Sequence, residues 1–279
     1  MFNPTVEVIV AQSKLREPPN LSYEAILKRF PGLAEADAVC WTGSTANGWG
    51  NVFSDIDLYA FADREIDLPV DETMETWPGS DKSGIRWQTW MGEYQKTRVD
   101  LTVWSTDTFT KVLEPYLGDE VELCGMSDVL LGFIYRVSIG VPLKNEAYFR
   151  EMLDLLDKSS FRRALARTTK VWAENALTDA AGQLDADDQA SARISAGIAA
   201  YRVVDACLIL HGELCRNQKW IMRRLERKPE CGINPDEFRS VVLNGTRPGE
   251  SDGDYALRVA RWAQGHLVRL DGDFLAAGR

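Results

Sequence analysis

Near residue 108 the spacing of apolar residues changes period, and this change constrains the fold more than any other feature of the chain. Upstream, the runs ADAVCWT, DIDLYAF, IRWQTWMG and TRVDLTVW are short, rich in β-branched and aromatic residues, and separated by Gly-, Asn- and Pro-containing stretches. That is the pattern of strands joined by turns, with DIDLYAF alternating as a half-buried strand does. Downstream, TFTKVLEPYL, DVLLGFIYRVSIG, EAYFREMLDLLDKSSFRRALARTTKVWAENAL, ASARISAGIAAYRVVDACLILHGEL and DYALRVARWAQGHLVRLDGDFLAA place apolar residues three and four apart, which predicts helices. A first helix, LSYEAILKRF, precedes the strands and is stopped by Pro31-Gly32. The expected fold is an α/β (α+β) N-terminal domain with a small mixed sheet, followed by a C-terminal α-helical bundle. The Gly140-Val141-Pro142 break divides them into residues 1–143 and 144–279.

Composition and charge narrow the chemistry. With 45% hydrophobic and 27% charged residues the chain can form an ordinary packed core. No apolar run is long enough to span a membrane and the N-terminus lacks a basic leader with an apolar block, so a cytoplasmic protein is expected. Five scattered cysteines without a C-x-x-C pair, and only two histidines, argue against a disulfide framework and a zinc site. Any metal should be held by oxygen. Residues 1–143 carry 22 acidic against 11 basic side chains, a surface that disfavours a long nucleic acid and suits a divalent cation or a cationic small molecule.

The chemistry-bearing segment is Gly43-Ser44, ten intervening residues, then Asp55-Ile56-Asp57-Leu58, with Asp100 inside the later run RVDLTVW. Alternate strand residues share a face, so Asp55 and Asp57 project together and repel unless a cation sits between them. Asp100 from a neighbouring strand would complete an oxygen-rich site for Mg²⁺, an ion that completes its shell with water and phosphate oxygens. The Gly-Ser turn, with a helix start behind it, offers backbone N–H groups and the Ser44 hydroxyl to an anion. Together these features describe a nucleoside-triphosphate site.

The pattern hG[GS], nine to thirteen residues, [DE]h[DE]h and a later h[DE]h strand is the signature of the DNA polymerase β-like nucleotidyltransferases, and TGS, DIDL and VDL in this chain resemble it. The helical half, with GVPL and NQKWIMRRL, is more loosely similar to the small-molecule members that modify aminoglycosides and lincosamides. The resemblance implies an enzyme that moves a nucleoside monophosphate, AMP from ATP in the first instance, to a hydroxyl of a small cationic acceptor held between the domains, releasing pyrophosphate. Two Mg²⁺ ions are implied, with Asp55, Asp57 and Asp100 as catalytic residues and metal ligands. Gly43, Ser44, Ser54 and Lys219 would bind the nucleotide, Lys219 reaching the triphosphate from the helical half, with Arg223 and Arg224 next in line. Alternatives are nucleotidylation of a partner protein, synthesis of a nucleotide second messenger, and a nucleotide-binding protein without turnover.

Other residues carry competing readings. Asp100 could pair with Arg98, but the two are expected on opposite strand faces, leaving Asp100 for the metal. Replacing Asp55 or Asp57 by Asn should leave the fold intact and relieve repulsion. Tyr201 and Asp205, four apart on one helix, either border the substrate or form a core pair. Trp87, Trp90 and Trp104 are explained by core packing alone.

Overall fold

The computed structural model describes residues 22–51, 53–68, 75–94, 97–118, 123 and 126–277. The chain divides into two compact units, one running to Pro115 and resuming over Met126–Lys158, the other comprising Tyr116–Gly125 and Ser159–Arg279.

The first unit is built on a mixed sheet. Helix α1 (Tyr23–Arg29) is capped by Ser22, whose hydroxyl oxygen accepts from the Ala25 N–H, and a 3₁₀ turn over Pro31–Glu35 leads into β1 (Ala38–Thr42). One helical turn, α2 (Gly43–Ala46), follows, then β2 (Ile56–Phe61), β3 (Glu75–Ser80), β4 (Arg86–Tyr94) and β5 (Thr97–Trp104). Two helices, α3 (Thr108–Leu113) and α4 (Asp128–Ser138), lead to β6 (Val141–Lys144) and α5 (Glu146–Lys158). The strand order is β3-β4-β5-β2-β1-β6. β2 and β5 run parallel, and the other pairs are antiparallel.

Two layers of apolar side chains hold this sheet. Ile56, Leu58, Val99 and Leu101 on one face pack with Ile26, Phe30 and Leu33. On the other face Tyr59, Phe61 and Trp104 meet Phe133 of α4, and Phe61 also meets Phe149 of α5. Consequently β2 is buried along its whole length, not half-buried as its alternation predicts. A strand covered on both faces by aromatic and aliphatic layers has no solvent side.

Two strands have no counterpart in the sequence pattern. Both β3, with Pro78, and β6, with Pro142, lie at the edges of the sheet, where a missing N–H is tolerated. The Gly140 break ends α4 and returns the chain to the sheet as β6, so in the structure α5 too belongs to the sheet-bearing unit.

The second unit is helical. Helices α6 (Phe161–Asp185) and α7 (Gln189–Leu210) fold back on one another across a short turn at Asp187, and α10 (Asp252–Ala277) packs on both. Buried Ala164, Ala173, Ala176, Ala192, Ala196 and Ala199 let the helices approach closely. Two short helices, α8 (Ile221–Arg227) and α9 (Pro235–Phe238), connect α7 to α10. No helix of the described residues is long and apolar enough to cross a membrane.

Candidate active site

The sheet sets the expected carboxylates side by side. Asp57 on β2 is the direct partner of Asp100 on the parallel strand β5, and neighbouring strands lie about 4.8 Å apart. Both strands are interior to the sheet, so the D-x-D motif is not the solvated face of an edge strand. Asp55 precedes β2 by one residue and is half-buried. Its main-chain carbonyl accepts from the Thr45 hydroxyl at 3.4 Å, which ties the approach to β2 onto α2.

Gly43 is fixed by the same carboxylate. It adopts φ +77°, and a Cβ placed on it would lie 1.8 Å from Oδ2 of Asp57. A side chain is therefore excluded twice, by backbone conformation and by contact. Ser44 is half-buried in the single turn of α2, which Trp49 closes by donating its N–H to the Ser44 carbonyl at 2.8 Å. Ser54 stabilises the turn before β2, its hydroxyl oxygen accepting from the Asn51 N–H at 2.8 Å.

Two arginines occupy the electrostatic role foreseen for a metal. Arg136 of α4 lies 3.3 Å from Oδ1 of Asp57 through Nη2, and donates through Nη1 to the Tyr59 hydroxyl at 3.3 Å. Its own carbonyl accepts from Thr42 Oγ1, binding β1, β2 and α4 into one network. Burial works against its charge, but Tyr59, Asp57 and Asp55 outweigh that and raise its pKa. Burial in turn pushes the Tyr59 phenol up.

Arg98 grips Asp100 with both arms of its guanidinium, Nε to Oδ1 at 2.7 Å and Nη2 to Oδ2 at 2.8 Å. Arg98 thus points toward Asp100 and not, as expected from the sequence, to the opposite strand face. The two residues are separated by one position, not adjacent, and strand residues at i and i+2 share a face. The hydrogen bond to Asp100, supported by the charges of Asp100, Asp55 and Asp57, raises the pKa of Arg98.

For a divalent ion the donor set fits in type and register: three carboxylates, two of them directly paired across parallel strands. No group of three His, Cys, Asp or Glu side chains among the described residues converges as metal ligands do, and Asp57 and Asp100 are each engaged by a guanidinium.

The structure thus brings together Gly43, Asp57 and Asp100, with Ser44 on α2 and Ser54 and Asp55 on the loop before β2. Sequence reasoning missed Arg136, which comes from a helix some eighty residues away and has no local signal. It dismissed Arg98, whose strand spacing could have revealed it.

Lys219 belongs to the second unit. It sits exposed in a 3₁₀ turn before α8, its ammonium 5.3 Å from the Trp220 ring centre. Arg223 stacks over the same ring at 5.0 Å. Arg224 is fully buried against Asp205, which removes it as an exposed phosphate ligand and gives Asp205 the core role. Tyr201 packs edge-on against Phe238. Cys40, Cys207, Cys215 and Cys231 are buried free thiols; Cys124 lies outside the described residues. A cavity of about 820 Å³ in the second unit, lined by Arg167, Lys170, Trp172 and Phe274 among others, contains none of the expected site residues.

No family model matches the sequence and no curated protein matches it. Among solved structures the chain is similar to a nucleotidyltransferase-like protein from Exiguobacterium sibiricum. The TM-score is 0.48 at 9% identity, over 91% of this chain and 77% of that one.

Proposed function

We propose that the sheet-bearing unit catalyses nucleotidyl transfer, moving a nucleoside monophosphate from a nucleoside triphosphate, ATP as the first candidate, to a hydroxyl of a small cationic acceptor. The observation that carries this reading is the direct pairing of Asp57 with Asp100 on parallel interior strands, with Gly43 seated against Asp57. Such a carboxylate pair is an expensive arrangement in a protein unless it serves a cation.

Asp55, Asp57 and Asp100 would hold Mg²⁺, two ions in the full site. When bound, the metal would neutralise phosphate charge and acidify the attacking hydroxyl. This chain's own residues do the rest. Asp100, the most solvent-facing of the register pair, accepts the proton of the acceptor hydroxyl. Arg136, fixed by the Thr42 and Tyr59 contacts, orients Asp57, and Gly43 leaves room for that carboxylate. The acidic character of the first half favours a cationic acceptor.

The test incubates the protein with each nucleoside triphosphate, Mg²⁺ and a panel of aminoglycosides, lincosamides and other polyhydroxylated amines, and reads products by mass spectrometry. The expected result is a gain of one nucleotide on a small molecule, with pyrophosphate released. A gain on protein alone would replace the acceptor, and product from triphosphate alone would indicate a second messenger.

A second reading has one observation in its favour. Arg98 and Arg136 offset the carboxylates without any metal, so the cluster does not by itself demand turnover, and a nucleotide-binding protein without catalysis could retain it. Tight triphosphate binding by calorimetry, with no pyrophosphate released for any acceptor, would establish that alternative.

A further inference from the structure

We propose that Arg98 is a displaceable internal cation: it holds Asp100 while the metal is absent, gives it up when a divalent ion binds, and then faces the phosphates with its guanidinium. This deepens the nucleotidyltransferase reading above and rests on it.

The two guanidiniums beside the carboxylates are held very differently. Arg136 is anchored at three points, with its side chain on Asp57 and Tyr59 and its carbonyl on the Thr42 hydroxyl. Arg98 has one strong partner. Its side chain is 57% exposed and that of Asp100 21%, and its remaining contact is the Met91 thioether, a weak acceptor. An exposed ion pair typically shifts an equilibrium by up to about fivefold, and a two-armed arginine–carboxylate geometry such as this one sits at the upper end of that range. The residue it holds is the expected ligand from β5.

Charge explains why such an arrangement is useful. Asp57 and Asp100, paired across neighbouring strands with Asp55 just before β2, are eased by positive charge with or without an ion. A resident arginine supplies it in the empty site, and a doubly charged ion with oxygen preference supplies more of it when present. Released, Arg98 stays on the same strand face as Asp100, two residues away, with five N–H donors suited to phosphate oxygens. An arginine keeps its proton in proteins whatever its partner, so the released group remains a cation. A fixed structural pair would differ in one respect: it would position Asp100 for the ion, and its loss would weaken binding.

The experiment titrates Mn²⁺ into the full-length protein without nucleotide, following free ion by electron paramagnetic resonance, for wild type, Arg98→Gln and Arg98→Lys, with Asp57→Asn marking which binding belongs to this site. The proposal expects Arg98→Gln to bind Mn²⁺ about fivefold more tightly than wild type and Arg98→Lys to fall between. It also expects Arg98→Gln to bind the metal-triphosphate complex more weakly. Equal or weaker Mn²⁺ binding by Arg98→Gln overturns the displacement and leaves the enzymatic reading standing. If no variant binds Mn²⁺, even with ATP present, the metal-dependent reading fails and this proposal with it. In wild type, the Arg98 Nε–H resonance, assigned by its loss in Arg98→Gln, should shift on addition of Mg²⁺. A resonance unmoved at saturating ion overturns the proposal without reliance on any variant's stability.

Discussion

Gly43 is the seat of the Asp57 carboxylate, because any Cβ at position 43 would lie 1.8 Å from Oδ2. Replacement by alanine must move either the β1–α2 turn or Asp57. The left-handed backbone adds about 1–2 kcal/mol of strain for a non-glycine residue. Gly43→Ala should therefore lower the melting temperature and reduce nucleotide transfer by at least about a hundredfold. Calorimetric melting and a pyrophosphate-release assay, run on the same preparation, separate the two effects.

Asp57→Asn is expected to reduce turnover by about two orders of magnitude or more. The sequence alone predicts relief of repulsion and an unharmed or stabilised fold. The structure reverses that sign in metal-free protein, since Asn removes the anion that Arg136 faces at 3.3 Å. Melting in the presence of a chelator should show a modestly lower transition for the variant. A higher one would mean that the Arg136 contact contributes nothing to stability.

Glu250 offers a pH test remote in sequence from the carboxylates. Arg258 donates to both of its oxygens, at 2.7 and 2.8 Å, and the Arg247 N–H adds a third bond. Together these lower its pKa from 4.5 to about 2. A carboxyl whose pKa is depressed on folding stabilises the fold fully above its unfolded value, and that stabilisation fades as pH falls towards the folded value. Glu250→Gln should thus melt below wild type at neutral pH, with the gap closing between about pH 4.5 and pH 2. Melting curves across that range check it.

Asp205 and Arg224 form an ion pair with both side chains fully buried. Among the described residues, Oδ2 of Asp205 and Nε and Nη2 of Arg224 have no hydrogen-bond partner. Burial raises the Asp205 pKa even with Arg224 beside it. Removing one partner strands a charge, so Asp205→Ala should cost about 3–5 kcal/mol. Replacing both, as Asp205→Leu with Arg224→Met, should recover much of that loss. Denaturant unfolding of the single and double variants measures the difference, and an equally damaged double variant would count against a stranded charge as the cause.

Much of the fold is legible from local pattern. Strands β1, β2, β4 and β5 announce themselves by β-branched and aromatic runs, and the long helices by their period. What escapes is what depends on position in the sheet. Proline in ETWPGS and GVPLK reads as interruption, yet Pro78 and Pro142 sit in outer strands where a neighbour is needed on one side only. The site divides in the same way. Asp55, Asp57, Asp100 and Gly43 are readable from spacing, because a two-residue strand period and a tight turn are local facts. Arg136 is not, because α4 meets β2 through tertiary packing, as of Phe133 on Tyr59 and Phe61, that no local pattern announces.

The proline-bearing outer strands also bear on how this protein can meet copies of itself. A proline survives in a ladder where its missing donor faces away from the paired strand. Pro78 on one flank and Pro142 on the other, so oriented, would each leave a gap in the hydrogen-bond template that an incoming strand would use. Edge-to-edge stacking of sheets, the common route from a folded monomer to fibrillar aggregate, is disfavoured at both flanks by a single ring closure apiece.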